Sequence, residues 1–170
     1  MTWQPPALTL GWAVLDWIAD NLPSPNDPAK PFIPTDEQAR FVLDWYSIYP
    51  HTGRYVYRRA VIEQAKGWGK SPLAAALVLA EFAGPVVFSH FDANGQPVGH
   101  RWGEKGTPAP WVQVAAVSED QTENTYGALY DMLTANDHKA AKALGIDDGR
   151  TRLYLVGSTR RTCGRPATAA

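Results

Sequence analysis

The chain has 170 residues, 45% of them hydrophobic and 19% charged, and a formal net charge of -1. That apolar content can build a core and excludes disorder throughout, while the balanced charge excludes a uniformly basic nucleic-acid coat and leaves only local patches open. A lone cysteine, Cys163, excludes an intrachain disulfide and a cysteine-based zinc site, and fits a reducing compartment.

The N-terminus has no signal-peptide pattern, since Trp12 to Ile18 is interrupted by Asp16 and followed by Asp20. The longest uncharged apolar run, Leu73 to Ala80, is far shorter than the ~20 residues of a membrane helix, so a soluble chain is expected. Leu8, Trp12, Leu15 and Ile18 recur at helical spacing and predict a short amphipathic helix. Pro23, Pro25, Pro28, Pro31 and Pro34 then read as an extended linker, so residues 1–34 form an N-terminal helix and Pro-rich linker. Thr35 and Gln38 make a capping box ahead of an apolar face of Phe41, Val42, Trp45 and Ile48.

Tyr55 to Glu63, with the run Ala60-Val61-Ile62, predicts a buried strand. Two glycines interrupt Ala65 to Ser71, and Pro72 opens a helix through Leu73 to Phe82. Gly84 and Pro85 stop it. Val86 to Phe91 and Val98 to Trp102 flank Asn94-Gly95, the signal for an inserted β-hairpin. Trp111 to Val117 is a second strand candidate, Ser118 to about Leu133 a helix capped by Ser118, Asp137 to Leu144 a short helix closed by Gly145, and Arg152 to Val156 a third strand. Residues 35–156 thus form one α/β domain, and 157–170 an irregular tail carrying Arg160, Arg161 and Arg165.

Chemistry concentrates at Gln64-Ala65-Lys66-Gly67-Trp68-Gly69-Lys70-Ser71, which matches the phosphate-loop pattern G-x-x-x-x-G-K-[ST] except that Gln64 replaces the first glycine. Gly67 and Gly69 let backbone N–H groups turn toward phosphate oxygens at the positive end of the following helix. Lys70 supplies a charge to the β- and γ-phosphates, and Ser71 a hydroxyl to a bridging Mg²⁺. The competing reading is a surface turn with a solvated lysine. An apolar run before the loop and an apolar helix after it favour the phosphate loop.

These residues, together with Arg58-Arg59 and the segment Val114 to Gln121, resemble the start of a phage terminase large subunit, the ATP-driven motor that packages viral DNA. Members of that family commonly lack the first glycine. The resemblance implies a partial P-loop NTPase sheet with flanking helices, ATP and Mg²⁺ as ligands, and a nucleotide site of Lys66, Gly67, Trp68, Gly69, Lys70, Ser71 and Gln38, with Ser71 on the metal. Lys66 stands where many terminases carry a basic residue near the γ-phosphate. Gln38 is similar to the adenine-contacting glutamine, and is equally the partner of its own helix cap. Glu119 and Asp120 fit the first turn of a Ser118-capped helix better than a Walker B acid pair.

The family's Walker B strand ending in Asp-Glu, its coupling motif and its nuclease domain have no counterpart here, so a truncated gene product that binds nucleotide without hydrolysing it is expected. The family's partners are double-stranded viral DNA, the portal protein and the small terminase subunit, and its location is the host cytoplasm. Two alternatives use the same residues: a P-loop kinase of a small metabolite, and a non-catalytic remnant that binds packaging partners. Arg54, Arg58 and Arg59 suit DNA phosphates or a solvated face. The seven tryptophans suit packing more than base stacking, and His51, His90, His100 and His138 show no ligand spacing.

Overall fold

A computed structural model describes residues 3–115, 119–149, 152–155 and 162–164. In chain order they form α1 (Gly11–Asn21), α2 (Asp36–Trp45), α3 (Lys70–Ala83), β1 (Val87–Phe91), β2 (Pro97–His100), α4 (Glu119–Leu144), β3 (Ile146–Asp148), β4 (Arg152–Leu155) and β5 (Thr162–Gly164). The chain is mixed α/β. Its two sheets are both antiparallel, a β1-β2 hairpin and a β3-β4-β5 ribbon, and no parallel pair occurs among the described residues. The expected P-loop sheet is therefore not seen.

The helices pack around one core. On α1 the inward stripe is Leu10, Val14, Ile18 and Leu22, whereas Trp12, expected on that face, is 51% exposed. Close approach at Gly11 explains the rotation: a Cβ there would lie 2.8 Å from Leu43 Cα, so the helix turns its bare face to α2 and its indole outward. Thr9 fastens the junction, its hydroxyl donating to Leu43 O at 2.7 Å and accepting from Gly11 N at 2.9 Å.

The proline-rich stretch is not extended. Ser24 N donates to Lys30 O and Phe32 N to Leu22 O, both at 2.8 Å, Pro23 bridges Pro31, and the fold-back buries Phe32. Such pairing joins residues six, eight and ten apart, which proline spacing does not encode.

The capping box forms as expected: Thr35 Oγ1 accepts Gln38 N at 3.4 Å and Gln38 Oε1 accepts Thr35 N at 3.0 Å. On α3, Leu73, Leu79 and Phe82 are fully buried, and Ala75, Ala76 and Ala80 leave room for Leu129, Met132 and Leu133 of α4. The break expected near 134–137 is present inside α4. Ala135 is extended, and Asn136, Asp137 and His138 have φ of 51°, 59° and 59°. Asn136 Nδ2 reaches across to Pro28 O at 2.6 Å, tying the break to the proline loop.

Three strand expectations fare differently. Of the strand expected over Tyr55 to Glu63, Tyr55 makes an isolated antiparallel bridge to Ile48 and residues 57–63 are outside any sheet: Ile62 packs on the core while Val61 is 87% exposed. The run is apolar enough for a strand, but past Tyr55 it has no ladder partner among the described residues, and a strand without a partner is not stable in water. Residues 111–115 likewise join neither sheet, and 116–118, including the expected cap Ser118, lie outside the described residues. The third strand is present as β4, paired to β3 on one side and to β5 on the other. Within the region read as an irregular tail, Thr162–Gly164 is thus a strand.

Candidate nucleotide-binding loop

The loop lies between the unpaired 57–65 segment and α3. Lys66 to Trp68 form a turn, Gly67 and Gly69 take φ of 92° and 90°, and α3 starts at Lys70. Both glycines hold a left-handed backbone that L residues resist. Gly69 is the N-cap and brings no side-chain acceptor, so the first-turn amides of α3 are uncapped and point their partial positive charge out of the helix.

Lys70 turns back into the loop. Its Nζ donates to Gln64 O at 2.6 Å and Ala65 O at 2.9 Å, so the ammonium sits inside the bend, held by two backbone carbonyls. Ser71, half-buried in the first turn, follows it, and Lys66 is exposed on the turn.

Gln38 reaches this loop from α2, 30 residues away in sequence. Its Nε2 donates to Trp68 O at 2.9 Å while its Oε1 holds Thr35, and the side chain is only 4% exposed. The cap role read from the sequence is present, and the amide that an adenine contact would use is engaged by Trp68 O. Glu37 adds a second tie, Oε2 accepting Trp68 Nε1 at 2.8 Å. A Cβ at Gly69 would lie 2.9 Å from Gln38 Nε2, so glycine is required there for space as well as for φ. Beside the loop is a cavity of about 260 Å³, with Phe41, Ile62 and Trp68 in its wall and Glu37 and Arg40 also lining it.

Of the other candidates, Glu119 begins α4, which agrees with Glu119 and Asp120 occupying a first helical turn. No cluster of three or more His, Cys, Asp or Glu able to hold a metal occurs among the described residues. No described helix is long and apolar enough to cross a membrane.

Sequence reasoning missed a second polar cluster. Glu81, which ends the apolar run of α3, accepts a hydrogen bond from Tyr46 OH at 2.7 Å and one from Trp102. Burial pushes the Glu81 carboxyl above its ordinary value of 4.5, against the lowering effect of those two donors. Burial, then the neighbouring carboxylate, raises Tyr46 and Tyr55 as well, and Tyr55 OH is tied to Val86 O. Glu81 also lines an apolar cavity of about 350 Å³ with Phe41, Trp45, Ile62 and Leu77. The only signal available in the sequence was one carboxylate directly after a run of eight apolar residues.

Comparison with known proteins bears on the source of this arrangement. The chain is 42% identical over 178 residues to the Gene 13 protein of Mycobacterium phage L5, covering 93% of this chain and 28% of that protein. The Gene 13 protein of Mycobacterium phage D29 is 42% identical over 175 residues, covering 91% of this chain and 28% of its own length. The chain is homologous to bacteriophage proteins. It spans under a third of the length of these phage relatives. No family model matches it. No solved structure matches it.

Proposed function

We propose that the chain is the ATP-binding N-terminal part of a viral DNA-packaging motor of the terminase large-subunit type. One observation carries the reading: two left-handed glycines lead into an uncapped helix N-terminus, and the lysine at that terminus turns its ammonium into the bend. The homology to mycobacteriophage proteins supports a phage setting.

In this reading the triphosphate takes the place of the Gln64 and Ala65 carbonyls around Lys70 Nζ. The ammonium–carbonyl bonds are already charge-assisted; a phosphate adds a formal negative charge to the acceptor, and that Coulomb attraction favours the bound state. The Gly67–Ser71 amides and the α3 dipole supply the rest of the anion field. Ser71 Oγ is placed one residue further on for Mg²⁺, which when bound neutralises the β- and γ-oxygens. Gln38 and Glu37 hold Trp68 still, so the glycines can bend without the loop unravelling. Glu37 is the carboxylate tied to this loop, and it is engaged by the indole, so nucleotide binding is the activity proposed for this chain. Viral duplex DNA, the portal protein and the small terminase subunit are the partners this reading implies.

Isothermal titration calorimetry with MgATP tests it. The wild-type chain is expected to bind and Lys70→Ala to lose binding by at least tenfold, since a charge-assisted contact to phosphate is removed. Equal affinity in both would overturn the loop assignment.

A further inference from the structure

A cavity of about 810 Å³, against about 260 Å³ for the one beside the loop, lies between the turn at residues 49–54 and the start of the hairpin. Three of its lining residues are Arg54, Arg58 and His51, and none is an aspartate or glutamate. Both arginines are exposed, and neither guanidinium has an ion pair or hydrogen bond among the described residues. Arg101 pairs with Glu104 at 2.6 Å and Arg40 lies 5.4 Å over the Trp3 ring, whereas Arg59, next to the groove pair in sequence, also has no ion pair or hydrogen bond among the described residues. Two unpartnered guanidinium groups thus share a wall with Tyr49, which is 51% exposed, and with Trp102.

The turn that carries Arg54 is held by hydrogen bonds and packing. Tyr49 O accepts Gly53 N at 2.9 Å, Val56 N donates to Ser47 O at 2.9 Å, and Tyr55 OH is tied to Val86 O. Gly53, at φ +63°, sits against Phe88 so closely that a Cβ would lie 2.1 Å from the ring. A groove held along its 47–56 side, with two exposed guanidinium groups and a half-exposed ring, combines the two elements that hold a nucleic acid strand, phosphate pairing and base stacking.

We infer that this groove binds a single strand of nucleic acid, with phosphates on Arg54 and Arg58 and an unstacked base on Tyr49. A duplex buries its base faces and leaves the aromatic wall unused, which favours the single strand. The inference does not rest on the triphosphate reading, since none of residues 64–71 lines the groove.

The test is fluorescence anisotropy of the purified chain with labelled oligo-dT and oligo-U of equal length, without nucleotide, as a function of salt. Wild type is expected to bind at least one of them, and the comparison of the two separates DNA from RNA as the source of the strand. Arg54→Ala with Arg58→Ala should weaken binding at least tenfold and flatten the log–log salt slope by about 1.4, from two phosphate contacts at about 0.7 each. Tyr49→Ala should weaken it at least threefold and Tyr49→Phe should not. Lys70→Ala should bind the oligonucleotide as wild type does, which separates this groove from the loop. All three groove residues are exposed, and circular dichroism verifies folding. A photo-crosslink from 5-iodouracil gives a readout on the unmutated chain and is expected at Tyr49 or Trp102. No binding by wild type, an unaltered arginine or Tyr49→Ala variant, a crosslink mapped elsewhere, or equal affinity for a duplex of the same length would overturn the inference.

Discussion

Replacing Gly69 by alanine probes the loop and its anchor together. At φ 90° and ψ 28° the backbone lies beyond the small left-handed well open to L residues, a penalty of about 1–2 kcal/mol. The new Cβ would stand 2.9 Å from Gln38 Nε2, and that amide cannot simply rotate away, because its other end holds Thr35 N. Moving it breaks the bond to Trp68 O and leaves a buried donor unsatisfied, about 1 kcal/mol or more. Gly69→Ala is therefore expected to cost about 2–3 kcal/mol in urea unfolding. In a Gln38→Ala background the obstructing amide is gone and only the backbone penalty persists. The double-mutant cycle should then show a coupling of about 1 kcal/mol between positions 31 residues apart in sequence. A cost below about 0.5 kcal/mol, or the same cost in both backgrounds, would refute the clamp.

Glu81 links stability to pH. Its folded pKa is raised, so the native state keeps a proton that the unfolded chain releases above about 4.5. That stabilising contribution is fully present below 4.5 and is lost as pH rises through the raised folded value. Urea midpoints measured from about pH 4 to pH 7 should therefore fall more steeply for wild type than for Glu81→Gln, and parallel profiles would contradict the burial assigned to this carboxyl. Leu79, fully buried on α3, should cost about 2–5 kcal/mol when changed to alanine, read from the same denaturation curves.

What the sequence revealed and what it hid divide by range of interaction. The Thr35–Gln38 box, the Asn94-Gly95 hairpin and the helix after Gly69 are set by residues within a few positions of one another, and each is found close to its expected place. Gly67 and Gly69 were legible as positions free to take backbone angles closed to other residues, and both have positive φ. The fate of the strand expected over Tyr55 to Glu63, reduced to one bridge at Tyr55, was not, because β-branched and aromatic composition creates demand for a partner without supplying one. The fold-back of the proline stretch depends on Pro23 meeting Pro31, and the turn of Trp12 outward on Gly11 meeting Leu43. Neither contact leaves a periodic trace. The Glu81–Tyr46 bond spans 35 residues and the Gln38–Trp68 bond 30, so the polar wiring that supports the candidate site came into view only with the fold.

The cradle of amides at Gly67 to Ser71 is tested most directly by following backbone N–H resonances of the isotopically labelled chain during a titration with MgADP and MgATP. The Gly67, Gly69, Lys70 and Ser71 amides are expected to shift first and furthest, with the Ala65 and Lys66 amides, which share peptide units with the Gln64 and Ala65 carbonyls, responding as Lys70 Nζ leaves them. Shifts confined to other parts of the chain, or none at saturating nucleotide, would contradict it.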